Sequence, residues 1–406
     1  MKCIFQVLGR LDGYDEIRFQ INGNEYEECL AAYALKRYFE DRGEKAEITF
    51  LVPESLIERE EQLDSIKNAD VKVIPAIGEY IRENRRVKYV STIDSVVTSI
   101  FLHFLDKKPD EIFVDVSTGH NVYPISMLEA ARRYVTYRRL EKIVQGKTPT
   151  RLYTVFIPPI SKGVRDVRVE IQRAEVKAFF SLPNANPDRV LIGNNGISEI
   201  NRRFARVKGL LRRLLRELKI AFNSLRLNVP LSFYTEEILD MSLDVDIVEE
   251  GLKEFVIEAL KPIKHGDIVE RFKIDGVNVA NLFYSIALYR SIKEFKDGLS
   301  EPEVNEIYER FSDAYDKLGL DANKNFLRRD IENIKMDSKR LADNEEVVYA
   351  KLRVGNVHGS SDVKRNFFAH SGFLMESTII KKRGGKIFIK WDKSRINEIK
   401  SWLEKP

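Results

Sequence analysis

Cysteine is scarce in this sequence of 406 residues, and its distribution excludes two classes of protein. Cys3 and Cys29 are the only two cysteines, and their spacing fits neither a metal site nor a disulfide framework. The start of the chain has too short an apolar run for a signal peptide. We therefore expect a cytoplasmic protein. No stretch approaches the roughly 20 apolar residues that a membrane-spanning helix needs.

Several sequence motifs that carry catalysis are also missing. No G-x-G-x-x-G follows the first predicted strand, and RGGKIF lacks the upstream glycine and the Ser or Thr of a P-loop. Neither H-E-x-x-H nor G-x-S-x-G occurs. The acidic residues form no compact set with histidine that would suggest a metal site. A metabolic enzyme with a dinucleotide cofactor is therefore poorly supported.

Charges of one sign are not in large excess, because 67 basic residues stand against 63 acidic residues. The net charge of +4 does not by itself indicate that the protein binds nucleic acid. Hydrophobic residues make up 43% of the chain, which is enough for a substantial core. This length predicts two or three domains.

The N-terminal part of the sequence alternates short apolar runs with longer amphipathic patterns, and it contains a predicted β-hairpin around Asn22-Gly23. This alternation predicts a Rossmann-like α/β domain with a parallel sheet. SLPNANPDRVLIGNNG reads as a linker, and helical periodicity dominates after it. We predict an α/β domain over 1–182, a linker and basic helical region over 183–265, and a mostly α-helical domain with a small C-terminal β-hairpin over 266–406.

An arginine-rich amphipathic helix is predicted over 198–220. Its apolar residues recur at steps of three and four, which places them on one buried stripe. The arginines lie mostly off that stripe. They fit either a solvated helix face or a basic track for an RNA backbone.

Polar residues follow a predicted buried strand in the stretch FVDVSTGHNVYP. Ser117, Thr118, Gly119, His120 and Asn121 stand between that strand and a predicted helix. A helix N-terminus at such a turn offers N–H groups to an anion, and glycine permits close approach of the backbone. Ser, Thr and Asn add short hydrogen-bonding side chains. The same composition fits an ordinary loop that caps a helix, so both interpretations stay open.

One of the five histidines lies in the stretch RNFFAHSGF, shortly after Arg365 and Asn366. Polar residues before it predict a helix start near Ser361 or Asp362. Asn366 and His370 are four apart and share a helix face, whereas Arg365 and His370 differ by about 140° around an ideal helix. A second copy of the helix across a two-fold axis closes that gap more easily than one helix does. The neighbouring phenylalanines also fit a core histidine on a buried helix.

Arginine, asparagine and histidine suffice for RNA cleavage without a metal ion. RNA carries its own nucleophile, the 2′-hydroxyl, and a histidine can take its proton or donate one to the leaving 5′-oxygen. An arginine can hold the phosphate and stabilise the charge of the transition state. Asparagine can fix the phosphate or the histidine tautomer. Spacing alone nevertheless favours the core histidine, because such pairs occur by chance in many proteins.

These two stretches together resemble a known family. RNFFAHSGF resembles the Arg-x(4–6)-His motif of HEPN-superfamily ribonucleases, in the Arg-Asn-x-x-x-His form. DVSTGHN is similar to the ligand loop of CARF domains, the Rossmann-like sensors of CRISPR systems. The order of the two resembles the CARF–HEPN accessory ribonucleases of type III CRISPR systems, which act in antiviral defence.

The resemblance implies a catalytic set of Arg365, Asn366 and His370. It also implies an allosteric activator on the N-terminal domain, a cyclic oligoadenylate and in the first place cyclic tetra-adenylate. The residues that would contact this activator are Gly9, Arg10, Ser117, Thr118, Gly119, His120 and Asn121. Family members are dimers or larger, cleave single-stranded RNA without a metal or other required cofactor, and leave a 2′,3′-cyclic phosphate.

A non-enzymatic alternative also fits the sequence. In that interpretation an α/β ligand sensor drives a helical module that binds DNA, and the arginine-rich helix over 198–220 is its best support. The roles of this helix and of the Asn22-Gly23 hairpin stay open.

Overall fold

The structure is a computed structural model that describes residues 1–406 except 12, 58–62, 64–65, 67, 83, 120, 148–149, 159–164, 194–196 and 353–361. The strands within the described residues are β1 Lys2–Val7, β2 Ile17–Ile21, β3 Asn24–Glu28, β4 Ala46–Pro53, β5 Asp70–Ile74, β6 Gly78–Arg82, β7 Arg85–Val90, β8 Glu111–Asp115, β9 Arg151–Phe156, β10 Asp166–Arg168, β11 Glu170–Ala174, β12 Leu191–Ile192, β13 Ile263–His265, β14 Ile268–Glu270, β15 Lys273–Ile274, β16 Glu346–Val348, β17 Thr378–Arg383 and β18 Lys386–Trp391. The α-helices are α1 Ala31–Glu40, α2 Ile93–Lys107, α3 Val122–Leu140, α4 Ile197–Arg203, α5 Ala205–Arg226, α6 Val245–Leu260, α7 Gly276–Asp297, α8 Val304–Leu318, α9 Asp321–Asp337, α10 Val363–Ala369 and α11 Ile396–Glu404.

A six-stranded sheet organises the N-terminal part, with the spatial order β11-β9-β8-β1-β4-β5. Every neighbouring pair is parallel except β11 with β9. The chain builds outward from β1 in one direction through β4 and β5, and then in the other direction from β8. This order confirms the predicted Rossmann-like α/β domain. It also fixes the switch point, where doubly wound sheets bind ligands, between the carboxyl ends of β1 and β8.

Apolar side chains cover both faces of this sheet, as the continuous apolar run of β1 predicts. Phe5 packs on one face with residues of α2 and α3. Ile4 packs on the other face with residues of α1. Because side chains alternate along a strand, β1 contributes to both cores.

A second sheet joins two distant parts of the chain in the order β13-β14-β7-β6. Its β7 and β14 pair in parallel across the predicted linker region. The sequence did not predict β6 and β7, because EYIRENRRVKYV carries too many charged residues to show an apolar alternation.

The helical part packs directly on the α/β domain. Helix α7 contacts both α2 and α3, and the ring centroids of Phe101 and Phe283 are 5.4 Å apart. The predicted arginine-rich helix is two helices, α4 and α5, separated at Phe204, whose φ of −100° and ψ of 18° are not helical. Its apolar stripe is buried as predicted, including Leu211, Leu214 and Leu218.

Both predicted β-hairpins are present. Asn22 and Gly23 turn between β2 and β3 with positive φ, and Gly384 and Gly385 do the same between β17 and β18. The small C-terminal β-hairpin and the mostly α-helical second part are thereby confirmed. None of the helices in the described ranges combines the length and apolar character that a membrane span requires.

Candidate functional sites at the sheet switch point and on α10

The loops after β1 and β8 meet at the switch point of the sheet. A Cβ added to Gly9 would lie 3.5 Å from the Cα of Gly119. Gly119 has a φ of +88°, and a Cβ there would lie 2.8 Å from Val7 Cγ1. The backbone of this second loop therefore takes a path that only glycine allows without strain.

The hydroxyls of Ser117 and Thr118 hold this loop to its neighbours. Thr118 Oγ1 donates to the Val7 carbonyl at 2.7 Å and accepts from Gln6 Nε2 at 3.1 Å. Ser117 Oγ accepts from the Ile157 N–H at 2.8 Å, so it ties the loop to the chain after β9. These hydroxyls therefore shape the crevice.

A buried carboxylate underlies the same loop. Asp115, at the end of β8, is fully buried, and its Oδ1 accepts from the Ser117 N–H at 2.8 Å. Its Oδ2 has no hydrogen-bond partner in the described part of the chain. Burial raises the pKa of Asp115 to about 6, against the opposing effect of the Ser117 hydrogen bond.

Asn121 does not cap the helix that follows the loop. Asn121 precedes α3 with helical backbone angles, and its exposed side chain makes no capping hydrogen bond. The first N–H groups of this 19-residue helix therefore face the crevice without an acceptor from Asn121. This disagrees with the interpretation of Asn121 as a simple cap. His120 lies outside the described residues.

Arg10 lies at the edge of the crevice, in the loop after β1. Its guanidinium carbon is 4.7 Å from the centroid of the Tyr14 ring. The Tyr14 hydroxyl accepts from the N–H groups of Gly9 and Arg10, both at 3.2 Å. The tyrosine thereby orders the loop and supports an exposed cation beside the switch point.

The second predicted site lies on α10 and the turn that follows it. Asp362 caps this helix, because its Oδ1 accepts from the Arg365 N–H at 2.9 Å. The helix ends at Ala369, so that His370 is its C-cap. The chain then reverses through two residues with positive φ, Ser371 and Gly372. The predicted helix start at Asp362 is confirmed; Ser361 lies outside the described residues.

His370 is not a core histidine, because 55% of its side chain is exposed. His103 on α2 shows the contrast: it is largely buried, and burial together with Lys72 and Lys107 lowers its pKa to about 4. Arg365 is exposed, and none of the described residues forms a hydrogen bond or ion pair with its guanidinium. Asn366, the residue after Arg365, is half-buried, and its backbone carbonyl accepts from the His370 N–H at 3.1 Å.

Helix α9 places two further charged residues against His370. Asp330 is 5% exposed, and its Oδ1 lies 3.6 Å from His370 Nδ1. Arg329 Nη2 lies 3.5 Å from the same carboxylate oxygen. The sequence interpretation missed both. The available signal was a carboxylate within an apolar stripe, because Leu327, Asp330 and Ile331 are all buried on α9.

The predicted basic track is partly occupied by carboxylates. Arg203 pairs with Glu258 at 3.0 Å, and Arg212 pairs with Asp188 at 2.6 Å. Arg213 contacts Glu217 at 2.7 Å. Within the described ranges, no group of three or more His, Cys, Asp or Glu side chains is arranged to hold a metal ion.

Two known protein families match this chain, and each match includes one of the two candidate sites. Residues 3–158 match the family described as "CRISPR system endoribonuclease Csx1, CARF domain". Residues 320–393 match "CRISPR system endoribonuclease Csx1, HEPN domain" and include α9, α10 and His370. No curated protein matches the chain. The two matches have the order that the sequence motifs predict and together span more than half of the chain. The chain therefore belongs to the CARF–HEPN ribonucleases associated with type III CRISPR systems.

Proposed function

We propose that this protein is a metal-independent endoribonuclease that cleaves single-stranded RNA through Arg365, Asn366 and His370. The observation that carries this proposal is the position of His370 at the end of α10. It is exposed and lies five residues after an exposed Arg365 that has no ion-pair partner among the described residues. A histidine that served only the core would be buried. An arginine without a carboxylate partner keeps its full charge for a phosphate.

The proposed reaction needs only the substrate and these side chains. His370 takes the proton of the 2′-hydroxyl, and the 2′-oxygen attacks the adjacent phosphorus. The bond from phosphorus to the 5′-oxygen breaks, and that oxygen receives a proton. The products are a 2′,3′-cyclic phosphate and a 5′-hydroxyl. Arg365 stabilises the additional negative charge on the phosphate oxygens, and Asn366 positions the phosphate or the histidine.

We further propose that a homodimer or larger homo-oligomer forms the complete site. Arg365 and His370 lie at different ends of the short helix α10. A two-fold axis beside α10 would bring the arginine of one copy towards the histidine of the other. The site would then contain two histidines, one to take a proton and one to donate a proton.

Cyclic tetra-adenylate is the proposed activator, bound at the switch point by the residues predicted from the sequence. Three features support this site: the glycine-lined junction of two loops, the N-terminus of α3, which Asn121 does not cap, and the exposed Arg10. All three suit an anionic ligand. We place the sensor domain at 1–182 and the ribonuclease domain at 266–406, and we expect the protein to act in the cytoplasm.

The test is cleavage of a labelled single-stranded RNA, with and without cyclic tetra-adenylate, in excess chelator. We expect activator-dependent cleavage that ends in a 2′,3′-cyclic phosphate. His370→Ala should abolish cleavage but keep activator affinity, whereas His265→Ala should leave cleavage unchanged, because His265 is an exposed histidine that pairs with Glu270. Cleavage that depends strictly on Mg²⁺, or normal cleavage by His370→Ala, would refute the proposal. RNA that stays intact, together with a gel shift of a DNA probe, would support the non-enzymatic DNA-binding regulator instead.

A further inference from the structure

A buried carboxylate on α9 lies directly behind the proposed catalytic histidine. Asp330 is 5% exposed, and its Oδ1 is 3.6 Å from His370 Nδ1, the nitrogen on the protein side of the ring. This separation is that of an ion pair and slightly exceeds a hydrogen bond. Contacts of this kind commonly tighten only when a substrate binds.

A chain of buried hydrogen bonds fixes the position of this carboxylate. Ser371 Oγ donates to Asp330 Oδ2 at 2.7 Å and accepts from Asn228 Nδ2 at 2.8 Å. The Tyr315 hydroxyl in turn donates to Asn228 Oδ1 at 3.0 Å. All four of these side chains are buried. Such a network restricts the carboxylate to one orientation, with Oδ1 left towards His370.

The energetics also point to a role for the charge. A carboxylate in an apolar stripe loses its hydration, and that cost is offset only by charged or hydrogen-bonding partners. In the described part of the chain, the partners of the Asp330 carboxylate are the Ser371 hydroxyl, Arg329 and His370. Arg329 and His370 both lie against Oδ1 of this carboxylate, and Arg329 Nη2 also lies 3.5 Å from the Ala369 carbonyl oxygen.

We propose that Asp330 is a positioning residue for His370, an inference that rests on the proposed ribonuclease function. The carboxylate accepts the Nδ1 hydrogen and selects the tautomer in which Nε2 is unprotonated and faces the RNA. It also stabilises the imidazolium that forms when Nε2 takes the proton of the 2′-hydroxyl. Proton transfer passes only between the RNA and Nε2.

The first test compares Asp330→Asn with Glu332→Gln in the full-length protein at saturating cyclic tetra-adenylate. Glu332 is an exposed carboxylate on the same helix, and the carboxylate that forms an ion-pair contact with His370 is that of Asp330. We expect Asp330→Asn to lower kcat by about 10- to 100-fold, the usual cost of removing a group that orients a functional histidine. KM should stay within about two-fold, because Asp330 does not touch the RNA. Glu332→Gln should match the wild type, and equal kcat values for both variants would overturn the proposal.

Two controls separate positioning from folding and from the ribonuclease proposal. Tyr315→Phe weakens the far end of the same buried network but keeps the Asp330 carboxylate. It should therefore lower stability and leave kcat unchanged. A loss of kcat equal to that of Asp330→Asn would show that packing, and not the carboxylate, causes the lower kcat. ¹⁵N NMR of the wild-type ring needs no variant and should show a protonated Nδ1 and a bare Nε2. The opposite tautomer would refute the positioning role. An active His370→Ala would instead refute the ribonuclease site itself.

Discussion

Arg290 on α7 donates to Glu141 Oε1 at 2.8 Å, which joins the helical part of the protein to the residue after α3. The same guanidinium contacts Glu249 at 2.9 Å and the Tyr137 hydroxyl at 2.9 Å. The other end of α3 lies at the proposed activator crevice, about 28 Å away for a helix of 19 residues. One rigid helix therefore connects the crevice to a charged junction between the two parts of the chain.

Replacing the arginine of this junction should weaken both stability and activation. Arg290→Gln leaves Glu141 and Glu249 without their shared cation, and both are largely buried. We expect the free energy of unfolding to fall by about 3 kcal/mol, the low end for a buried ion pair that loses one member. Urea unfolding measures this loss. Because the charged contact between the end of α3 and α7 would then be lost, the stimulation of RNA cleavage by cyclic tetra-adenylate should also fall.

Lys293→Gln is the matched control on the same helix. Among the described residues, Lys293 pairs only within α7, with Asp297 at 2.9 Å, and such pairs contribute about 0.3–0.5 kcal/mol. Its stability and its stimulation by the activator should stay close to those of the wild type. Full activation of a folded Arg290→Gln protein would contradict the coupling through α3.

The glycine at the loop junction provides a second prediction. Gly119→Ala places a Cβ 2.8 Å from Val7 Cγ1 at a φ of +88°. Gly23→Ala has almost the same φ, +86°, with no atom within 4 Å of the new Cβ. Gly23→Ala should therefore cost only the backbone strain, about 1–2 kcal/mol. Gly119→Ala should cost more and displace the loop.

Calorimetric titration with cyclic tetra-adenylate distinguishes the two glycine variants. We expect Gly119→Ala to lose most of its affinity for the activator, because its loop forms the junction with Gly9. Gly23→Ala lies in the β2–β3 hairpin and should keep the wild-type affinity. Equal affinities of the two variants for cyclic tetra-adenylate would show that Gly119 is not part of the activator site.

Local sequence signals predicted those parts of the sites that depend on neighbouring residues. Asp362 marks the start of α10, so the start of this helix could be placed without the structure; its end at Ala369, which leaves His370 just outside the helix, was not predicted. Asp330 could not be assigned to His370, because they are 40 residues apart and only the packing of α9 on the turn after α10 joins them. The roles of the hydroxyls of Ser117 and Thr118 were likewise set by contacts with other strands.

Asp115 should make stability depend on pH in a predictable direction. Its pKa rises from 3.8 to about 6 on folding, so the native state binds more protons than the unfolded state between these values. Its contribution to the free energy of unfolding therefore falls as pH rises from 4 to 6, by about 3 kcal/mol in total. Asp115→Asn removes this dependence and adds a constant offset. Urea unfolding at pH 4.5, 5.5 and 7 measures this pH dependence. The same pH dependence in the wild type and in Asp115→Asn would contradict the raised pKa of Asp115.

His103 should have the opposite effect in nearly the same range. Its pKa falls from 6.5 to about 4 on folding, chiefly through burial, and its Nε2 has no hydrogen-bond partner in the described residues. The unfolded state binds the proton first as pH falls below 6.5, so this residue lowers stability by about 3 kcal/mol by pH 4. His103→Leu should gain stability over the wild type as pH falls, whereas Asp115→Asn should lose it. The differences in the free energy of unfolding between each variant and the wild type should therefore have opposite signs, which a general effect of acid on both variants cannot produce. Differences of the same sign would show that burial does not control the pKa values of these two groups.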